Sequence, residues 1–186
     1  DILGRQRSTF VQLTRAYRST EQITAFTRAM LKDGGNIQSI SREGDKPVLI
    51  RAESEQVLMS SLESKIRELK QAGMESIAVI CRTASDAKRV HEQLSKSLRG
   101  LTLITRQATA FEGGAVVIPS YLSKGLEFDA VLIHNASDAV YSSARELRLL
   151  YTACTRALHH LFIYYTGELT PLMSGIDSAL YTSEEA

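Results

Sequence analysis

The chain has 186 residues, of which 44% are hydrophobic and 23% are charged, a composition typical of one soluble globular domain. This composition excludes a disordered chain, and no apolar run approaches the roughly 20 residues that a membrane-spanning helix needs. The 22 basic and 21 acidic residues leave a formal net charge of +1, so any basic surface must be local.

The cysteines and the first residue bear on the compartment and the origin of the chain. Cys81 and Cys154 each lie in an apolar stretch, so we expect buried free thiols and a reducing, cytoplasmic compartment. The chain starts at Asp1, with no initiator methionine and no signal-peptide pattern. We therefore expect it to be a piece of a longer protein.

The first third of the chain predicts a helix, a strand and a second helix. Ser19 and Gln22 form a capping box before the first helix, and Gly34-Gly35 stops it. Residues 48–50 are a short β-branched run, and Gly73 is placed to end the second helix. The apolar residues at helical spacing are Ile23, Phe26, Met30 and Leu31, followed by Leu58, Leu62, Ile66 and Leu69.

The remaining chain alternates strands with two more helices. Strands are predicted at residues 77–81, 101–105, 115–119, 130–134 and 161–165. The third helix follows a box of Thr83 and Asp86, and the fourth runs from 144 to 158 behind Ser143 and Glu146. Their buried faces are predicted to carry Ala87, Val90, Leu94 and Leu98, and then Leu147, Leu150, Tyr151 and Cys154.

This alternation predicts an α/β fold, because parallel strands need helical crossovers that cover both faces of the sheet. Residues 1–181 are expected to form one domain, and residues 182–186 a frayed acidic tail. Ligands of such sheets bind where loops leave the carboxyl ends of strands. The informative loops are therefore expected after Cys81, Pro119 and His134.

Three polar segments interrupt the apolar pattern. Within residues 119–133, Lys124 can meet an anion, Gly125 permits close approach, and Glu127 can accept hydroxyl hydrogen bonds, although a solvated turn with a charge pair is the alternative. Arg156 lies in an apolar segment, where it either binds a phosphate or forms an intradomain salt bridge. Tyr17-Arg18 precedes a helix and suits either a stacked base or a core tyrosine.

In order and spacing, these segments resemble the UvrD/Rep family of superfamily 1 DNA helicases over nearly the whole chain. The segments that resemble motifs IV, IVa, V and VI are residues 17–20, 77–83, 123–128 and 150–157. The resemblance implies the second RecA-like domain of such a helicase. Its expected fold is a P-loop NTPase-type parallel sheet sandwiched by helices.

The resemblance also implies a role for each matching residue. Tyr17 is expected to stack on adenine and Arg18 to contact the γ-phosphate, while Glu127, helped by Gly125, binds the ribose. Arg156 is expected to be the arginine finger that this domain supplies across a cleft. The residues expected near single-stranded DNA are Arg82, Thr83, Tyr121 and Lys124.

The sequence departs from the better-known members at the DNA side and in length. Pro119 and Tyr121 replace a threonine and a histidine, and Ala84 replaces an asparagine. UvrD carries a large accessory domain between motifs IVa and V, but here only about residues 95–114 are available for it, so that insertion is expected to be absent or minimal. This short form resembles the helicase IV and HelD-like branch, some of whose members associate with RNA polymerase, so a polymerase-displacing ATPase is the alternative function.

The sequence lacks a Gly-x-x-x-x-Gly-Lys-Ser/Thr loop and the acidic pair that would follow it. ATP and Mg²⁺ are therefore expected to be held mainly by an N-terminal RecA-like domain of the same parent chain, and this chain alone is expected not to hydrolyse ATP. No metal is assigned to it. His159 and His160, predicted at a helix end, are adjacent and would not face one ion.

Overall fold

A computed structural model of the chain describes residues 15–16, 19–31, 38–39, 42–107 and 113–186. The helices in these ranges are α1 (Glu21–Ala29), α2 (Glu55–Gln71), α3 (Ala84–Leu94) and α4 (Ala144–Cys154). The strands are β1 (Arg15–Ala16), β2 (Gln38–Ser39), β3 (Val48–Ala52), β4 (Ser76–Cys81), β5 (Thr102–Leu103), β6 (Gly114–Pro119), β7 (Phe128–Ile133), β8 (Ala157–Thr166) and β9 (Thr182–Glu185).

Seven of these strands form one sheet in the order β5-β6-β4-β7-β8-β3-β9, and every pairing in it is parallel. At its centre Ile77 of β4 lies opposite Ala115 of β6 and Ala130 of β7. Strands β1 and β2 form a separate parallel pair. The predicted α/β parallel sheet is therefore confirmed.

Two hydrophobic cores cover the two faces of the sheet. Neighbouring residues of β7 point to opposite faces, so Ile133 packs with α1 and α4 and Leu132 packs with α2 and α3. The helices contribute fully buried side chains such as Phe26 and Leu150 on one face and Leu62 on the other. Burial of each such side chain contributes about 1.5–3 kcal/mol, so both faces stabilise the fold.

The helices begin at polar caps, mostly as predicted. Ser143 and Glu146 form the predicted capping box of α4, and Gly73 adopts φ +85° after α2. The cap of α1 differs, because Thr20 accepts a hydrogen bond from the Ile23 amide while the Ser19 hydroxyl donates to the Ala157 carbonyl. The predicted stop at Gly34-Gly35 lies outside the described residues.

The predicted end of the fourth helix is wrong. Helix α4 ends at Cys154, and strand β8 begins three residues later at Ala157. The Phe128 amide donates to the Arg156 carbonyl at 3.0 Å, and residues 157–166 pair with both β7 and β3. Pairing with two strands therefore outweighs the local helical pattern at residues 155–158.

The predicted frayed tail is also wrong, because residues 182–185 form the edge strand β9. Thr182 lies opposite Val48 of β3, and the Ala186 amide donates to the Arg51 carbonyl. All four side chains of β9 are exposed, so main-chain hydrogen bonds hold this strand. The outermost strand on the other side of the sheet, β5, contains only two of the five residues predicted there.

Candidate functional site

The predicted site residues lie at two opposite edges of the sheet. Because the strands are parallel, all of them start at one edge, here called the amino edge, and end at the other, the carboxyl edge. Glu127 and Arg156 directly precede β7 and β8 at the amino edge. Arg82 and Tyr121 follow β4 and β6 at the carboxyl edge. The informative loops were expected at carboxyl ends, where Arg82 and Tyr121 lie, whereas Glu127 and Arg156 lie at amino ends.

Glu127 and Arg156 are brought together at the amino edge. The Phe128 amide donates to the Arg156 carbonyl at 3.0 Å, and Arg156 Nη1 donates to the Leu126 carbonyl at 3.2 Å. Both neighbours of Glu127 in the chain are thus bonded to Arg156. Residues 30 positions apart in the sequence meet because β7 and β8 are adjacent strands.

The Arg156 guanidinium is held by several acceptors. Its Nε donates to the Thr152 carbonyl at 3.0 Å, and its Nη2 donates to the Thr155 hydroxyl at 3.1 Å. Arg156 itself follows α4 and precedes β8, so its backbone is fixed from both sides. The side chain is partly exposed at this edge. A guanidinium held in this way has a defined direction before any ligand arrives.

The start of α1 lies against the same strand. The Ser19 hydroxyl donates to the Ala157 carbonyl at 2.6 Å, and the Thr20 amide donates to the Leu158 carbonyl at 3.2 Å. Tyr17 and Arg18 lie outside the described residues, so their contacts stay predictions. Through Ser19, the segment that resembles motif IV reaches the segment that resembles motif VI, and Arg156 of that segment bonds to the one that resembles motif V.

Gly125 is required by the turn that leads to Glu127. Its φ of +88° lies in the left-handed region, which disfavours any residue with a Cβ atom. A Cβ added at this position would meet no atom within 4 Å, so the requirement comes from backbone conformation and not from a crowded protein neighbour. The Leu126 amide closes the turn on the Ser123 carbonyl at 3.1 Å.

At the carboxyl edge, Arg82 forms an ion pair with Glu146, the third residue of α4. The other Glu146 oxygen accepts the Ser142 and Ser143 amides at 2.9 and 3.0 Å. The hydrogen bond from Arg82 and those from the serine amides lower the pKa of Glu146 to about 2. Arg82 therefore joins β4 to the start of α4, and its predicted DNA contact stays a prediction.

The Thr83 hydroxyl is used within the protein. It accepts a hydrogen bond from the Asp86 amide at 3.1 Å, which caps α3, and it donates to the Asp86 carboxylate. Ser120 makes a similar internal contact, because its buried hydroxyl donates to the Arg82 carbonyl at 3.0 Å. The Ser120 bond ties the ends of β4 and β6 to each other.

Tyr121 and Lys124 are exposed. Tyr121 retains 41% of its surface exposed, more than any other large hydrophobic side chain in the part of the chain that the structure describes. The Arg106 guanidinium carbon lies 5.3 Å from the centre of the Tyr121 ring. Sequence reasoning missed Arg106, because it belongs to none of the matched segments and only the fold brings it to Tyr121.

Sequence reasoning also missed a charged cluster at the end of β7. His134 is buried, and its Nε2 lies 3.1 Å from the Glu55 carboxylate. The same carboxylate accepts a hydrogen bond from Arg89 Nη1 at 2.7 Å. The hydrogen bond to His134, followed by that to Arg89, lowers the pKa of Glu55 to about 2 against the opposite effect of burial. Since Glu55 and His134 are 79 positions apart, no local pattern links them.

No cluster of three or more potential metal ligands occurs in residues 19–31, 42–107 and 113–186 or in the short strands β1 and β2. His159 and His160 lie in strand β8, not at a helix end, and their rings contact Asp129 and Asp45 respectively. Among the helices described above, none is long and apolar enough to cross a membrane.

Comparison with known proteins identifies the family. Two family models, each described as a UvrD-like helicase C-terminal domain, match residues 11–111 and 114–164. The C-terminal domain of a possible DNA helicase from Lactobacillus plantarum WCFS1 is 32% identical, with a TM-score of 0.78 over 90% of this chain and 98% of that chain. No curated protein matches the chain.

More distant structures share the fold. Dbp5 of S. cerevisiae, bound to RNA and ADP BeF3, is 10% identical with a TM-score of 0.57, over 83% of this chain and 46% of that chain. The arterivirus nonstructural protein 10 helicase with DNA is 11% identical with a TM-score of 0.52, over 87% and 37%. The parallel sheet is thus the RecA-like fold of helicase C-terminal domains, and the chain belongs to the UvrD-like helicase C-terminal domain family.

Proposed function

We propose that this chain is the C-terminal motor domain of an ATP-dependent DNA helicase or translocase. Its amino edge contributes residues to an ATP site shared with an N-terminal RecA-like domain of the same protein. Its carboxyl edge contacts single-stranded DNA. The observation that carries the proposal is the meeting of Arg156 with both chain neighbours of Glu127 at the starts of β7 and β8. Family membership supports it, because UvrD-like helicases use ATP.

The amino-edge residues suit a nucleotide triphosphate. A guanidinium stays charged and directs planar donors at phosphate oxygens, so Arg156 would stabilise the charge that develops on the γ-phosphate. Glu127 would accept hydrogen bonds from the ribose hydroxyls, while Tyr17 and Arg18 would add adenine stacking and a second phosphate contact. Mg²⁺ would be held by the N-terminal domain, since this sequence lacks the phosphate-binding loop.

Two connections join the edges and would couple the two ligands. Residues 120–127 lead from the end of β6 to the start of β7. Within them, the Leu126 carbonyl accepts a hydrogen bond from Arg156 Nη1. Helix α4 leads from Glu146, paired with Arg82, to Arg156 beyond its last turn. A shift at the carboxyl edge would therefore reach the Arg156 guanidinium by two routes.

The carboxyl edge suits single-stranded DNA. Tyr121 is an exposed ring on which a base can stack, and Lys124 is an exposed cation. Arg82 and Thr83 follow β4, whose end pairs with the end of β6 shortly before Tyr121, although both also make the internal contacts described above. We therefore assign the main DNA contacts to Tyr121 and Lys124, with Arg82 and Thr83 in supporting positions.

The short segment between α3 and β6 supports the helicase IV and HelD-like branch. Its described part contains the two-residue strand β5. We propose residues 1–181, together with β9, as one motor domain in which the accessory insertion is absent or minimal. A polymerase-displacing ATPase is the alternative function within this branch, and stimulation of ATP hydrolysis by RNA polymerase instead of single-stranded DNA would favour it.

The proposal is tested by Arg156→Ala in the full-length protein, assayed for ATP hydrolysis with saturating single-stranded DNA. Loss of an arginine finger is expected to lower kcat by about 10³-fold or more. Arg148→Ala is the matched control, because Arg148 is an exposed arginine on the preceding helix and its loss is expected to leave kcat within about twofold. Near-normal turnover by Arg156→Ala would contradict the proposal.

A further inference from the structure

The Arg106–Tyr121 pair is built into the carboxyl edge. Tyr121 lies in the 3₁₀ turn Ser120–Leu122, whose first residue is buried and bonded to the Arg82 carbonyl. Arg106 follows β5, where the Ile104 amide donates to the Val117 carbonyl at 2.9 Å and the Ile104 side chain is buried. Tyr121 therefore projects from a held turn, and Arg106 lies two residues beyond the held Ile104.

The geometry leaves part of the tyrosine ring open. The Arg106 guanidinium lies over the ring at 5.3 Å from its centre, yet 41% of the Tyr121 surface remains exposed. Arg106 is itself exposed, so its donors face solvent at the same place. An exposed aromatic surface next to an exposed cation is the combination that binds a base and its phosphate together.

We infer that Arg106 and Tyr121 form one binding site for single-stranded nucleic acid, in which a base stacks on the open surface of Tyr121 and Arg106 binds the adjacent phosphate. This inference rests on the proposed function and adds to it a residue outside the matched motifs. Stacking on a phenol ring requires an unpaired base, so the site selects single strands over duplexes. Every base has a π-face, so the site has little sequence preference.

The test measures the affinity of the full-length protein for a fluorescein-labelled oligothymidine by anisotropy, over a series of KCl concentrations. Tyr121→Ala is expected to weaken binding by about tenfold, within the range known for one stacked base. Tyr121→Phe keeps the ring and is expected to bind as the natural protein does. Thermal unfolding of each variant checks that the fold is retained.

Arg106→Ala is expected to weaken binding and to reduce the slope of log Kd against log salt concentration by about 0.7, the loss of one phosphate contact on a single strand. Arg99→Ala is the matched control. Arg99 is exposed in the same connecting segment but precedes β5, at the opposite edge of the sheet, so its loss removes the same charge away from Tyr121.

The outcomes separate this inference from the proposed function. If the full-length protein binds the oligonucleotide but Arg106→Ala matches Arg99→Ala in affinity and slope, the Arg106 site is wrong and the proposed function stands. If Tyr121→Phe is as weak as Tyr121→Ala, stacking is wrong. If the natural protein binds no single-stranded nucleic acid, the DNA-binding part of the proposed function fails and this inference fails with it.

Discussion

The two edges of the sheet hold their polar residues in different ways. At the amino edge, Arg156 is held by the Leu126 and Thr152 carbonyls and by the Thr155 hydroxyl. At the carboxyl edge, charged side chains hold one another, as in the Arg82–Glu146 pair. Because these carbonyls belong to helix α4 and to the turn before β7, the amino-edge geometry depends on the backbone fold. The carboxyl-edge geometry depends on ionisation and salt.

The largest expected effect comes from breaking the amino edge at Phe128. Its side chain is fully buried and its amide is bonded to Arg156, so Phe128→Ala is expected to lower the free energy of unfolding by about 3–5 kcal/mol. The measurement is urea denaturation. Tyr121→Ala removes an aromatic side chain from the exposed carboxyl edge and its contact with Arg106, and is expected to lower stability by about 1 kcal/mol or less. If Phe128→Ala and Tyr121→Ala lowered the free energy of unfolding equally, the two edges would not differ in how the fold holds them.

A smaller effect is expected from Gly125→Ala, which places a Cβ at φ +88°. The left-handed conformation costs about 1–2 kcal/mol for a residue with a side chain, and denaturation curves would measure it. Gly175→Ala is the control, because Gly175 has no such φ and an added Cβ there meets no atom within 4 Å. We expect that variant to be neutral or slightly stabilised. If the two alanine variants lose stability alike, the turn does not require glycine.

The smallest effect concerns the charges of the carboxyl edge. In the folded protein the pKa values of Glu55 and Glu146 are lowered to about 2 from an ordinary 4.5. Their contribution is therefore present above pH 4.5 and is lost as the pH falls towards 2. Because Glu55 and Glu146 and their arginine partners are partly exposed, we expect the free energy of unfolding to fall by on the order of 1 kcal/mol.

This pH dependence is measured by urea denaturation at several pH values between 6 and about 2.5. Replacing both carboxylates, as Glu55→Gln and Glu146→Gln, is expected to lower stability at pH 6 and to flatten the profile. Glutamine at position 146 can still serve the capping box, so helix α4 keeps its start. An unchanged profile in the double variant would show that these pairs do not stabilise the carboxyl edge.

Local chemistry explains what the sequence predicted correctly. The central strands are β-branched and apolar, and Ser143 with Glu146 marks the start of α4 by its own side-chain bonds. The start of β8 at Ala157 and the edge strand β9 depend on pairing with distant strands, so local patterns did not indicate them. The candidate site residues were predicted from a resemblance to a family. The spacing of residues alone left a structural alternative open for each segment.

The sequence could not predict which of the candidate site residues lie close together in the fold. The positions of Glu127 and Arg156 in the sequence do not say that β7 and β8 are neighbours, and only that adjacency brings them together. The same holds for Arg106, which has no motif around it, and for His134, whose partner Glu55 lies far away in the sequence. Side chains that act through long-range packing leave little local signal.

If the two edges serve different ligands, ATP hydrolysis and DNA binding can be lost separately, and one crossed measurement checks this. ATP hydrolysis and oligothymidine affinity are measured in the full-length protein for Arg156→Ala and for Tyr121→Ala. We predict that Arg156→Ala loses hydrolysis by about 10³-fold yet binds the oligonucleotide within about twofold of normal. Tyr121→Ala should bind it about tenfold more weakly yet keep most hydrolysis at saturating DNA. Equal loss of both activities in both variants would contradict the claim.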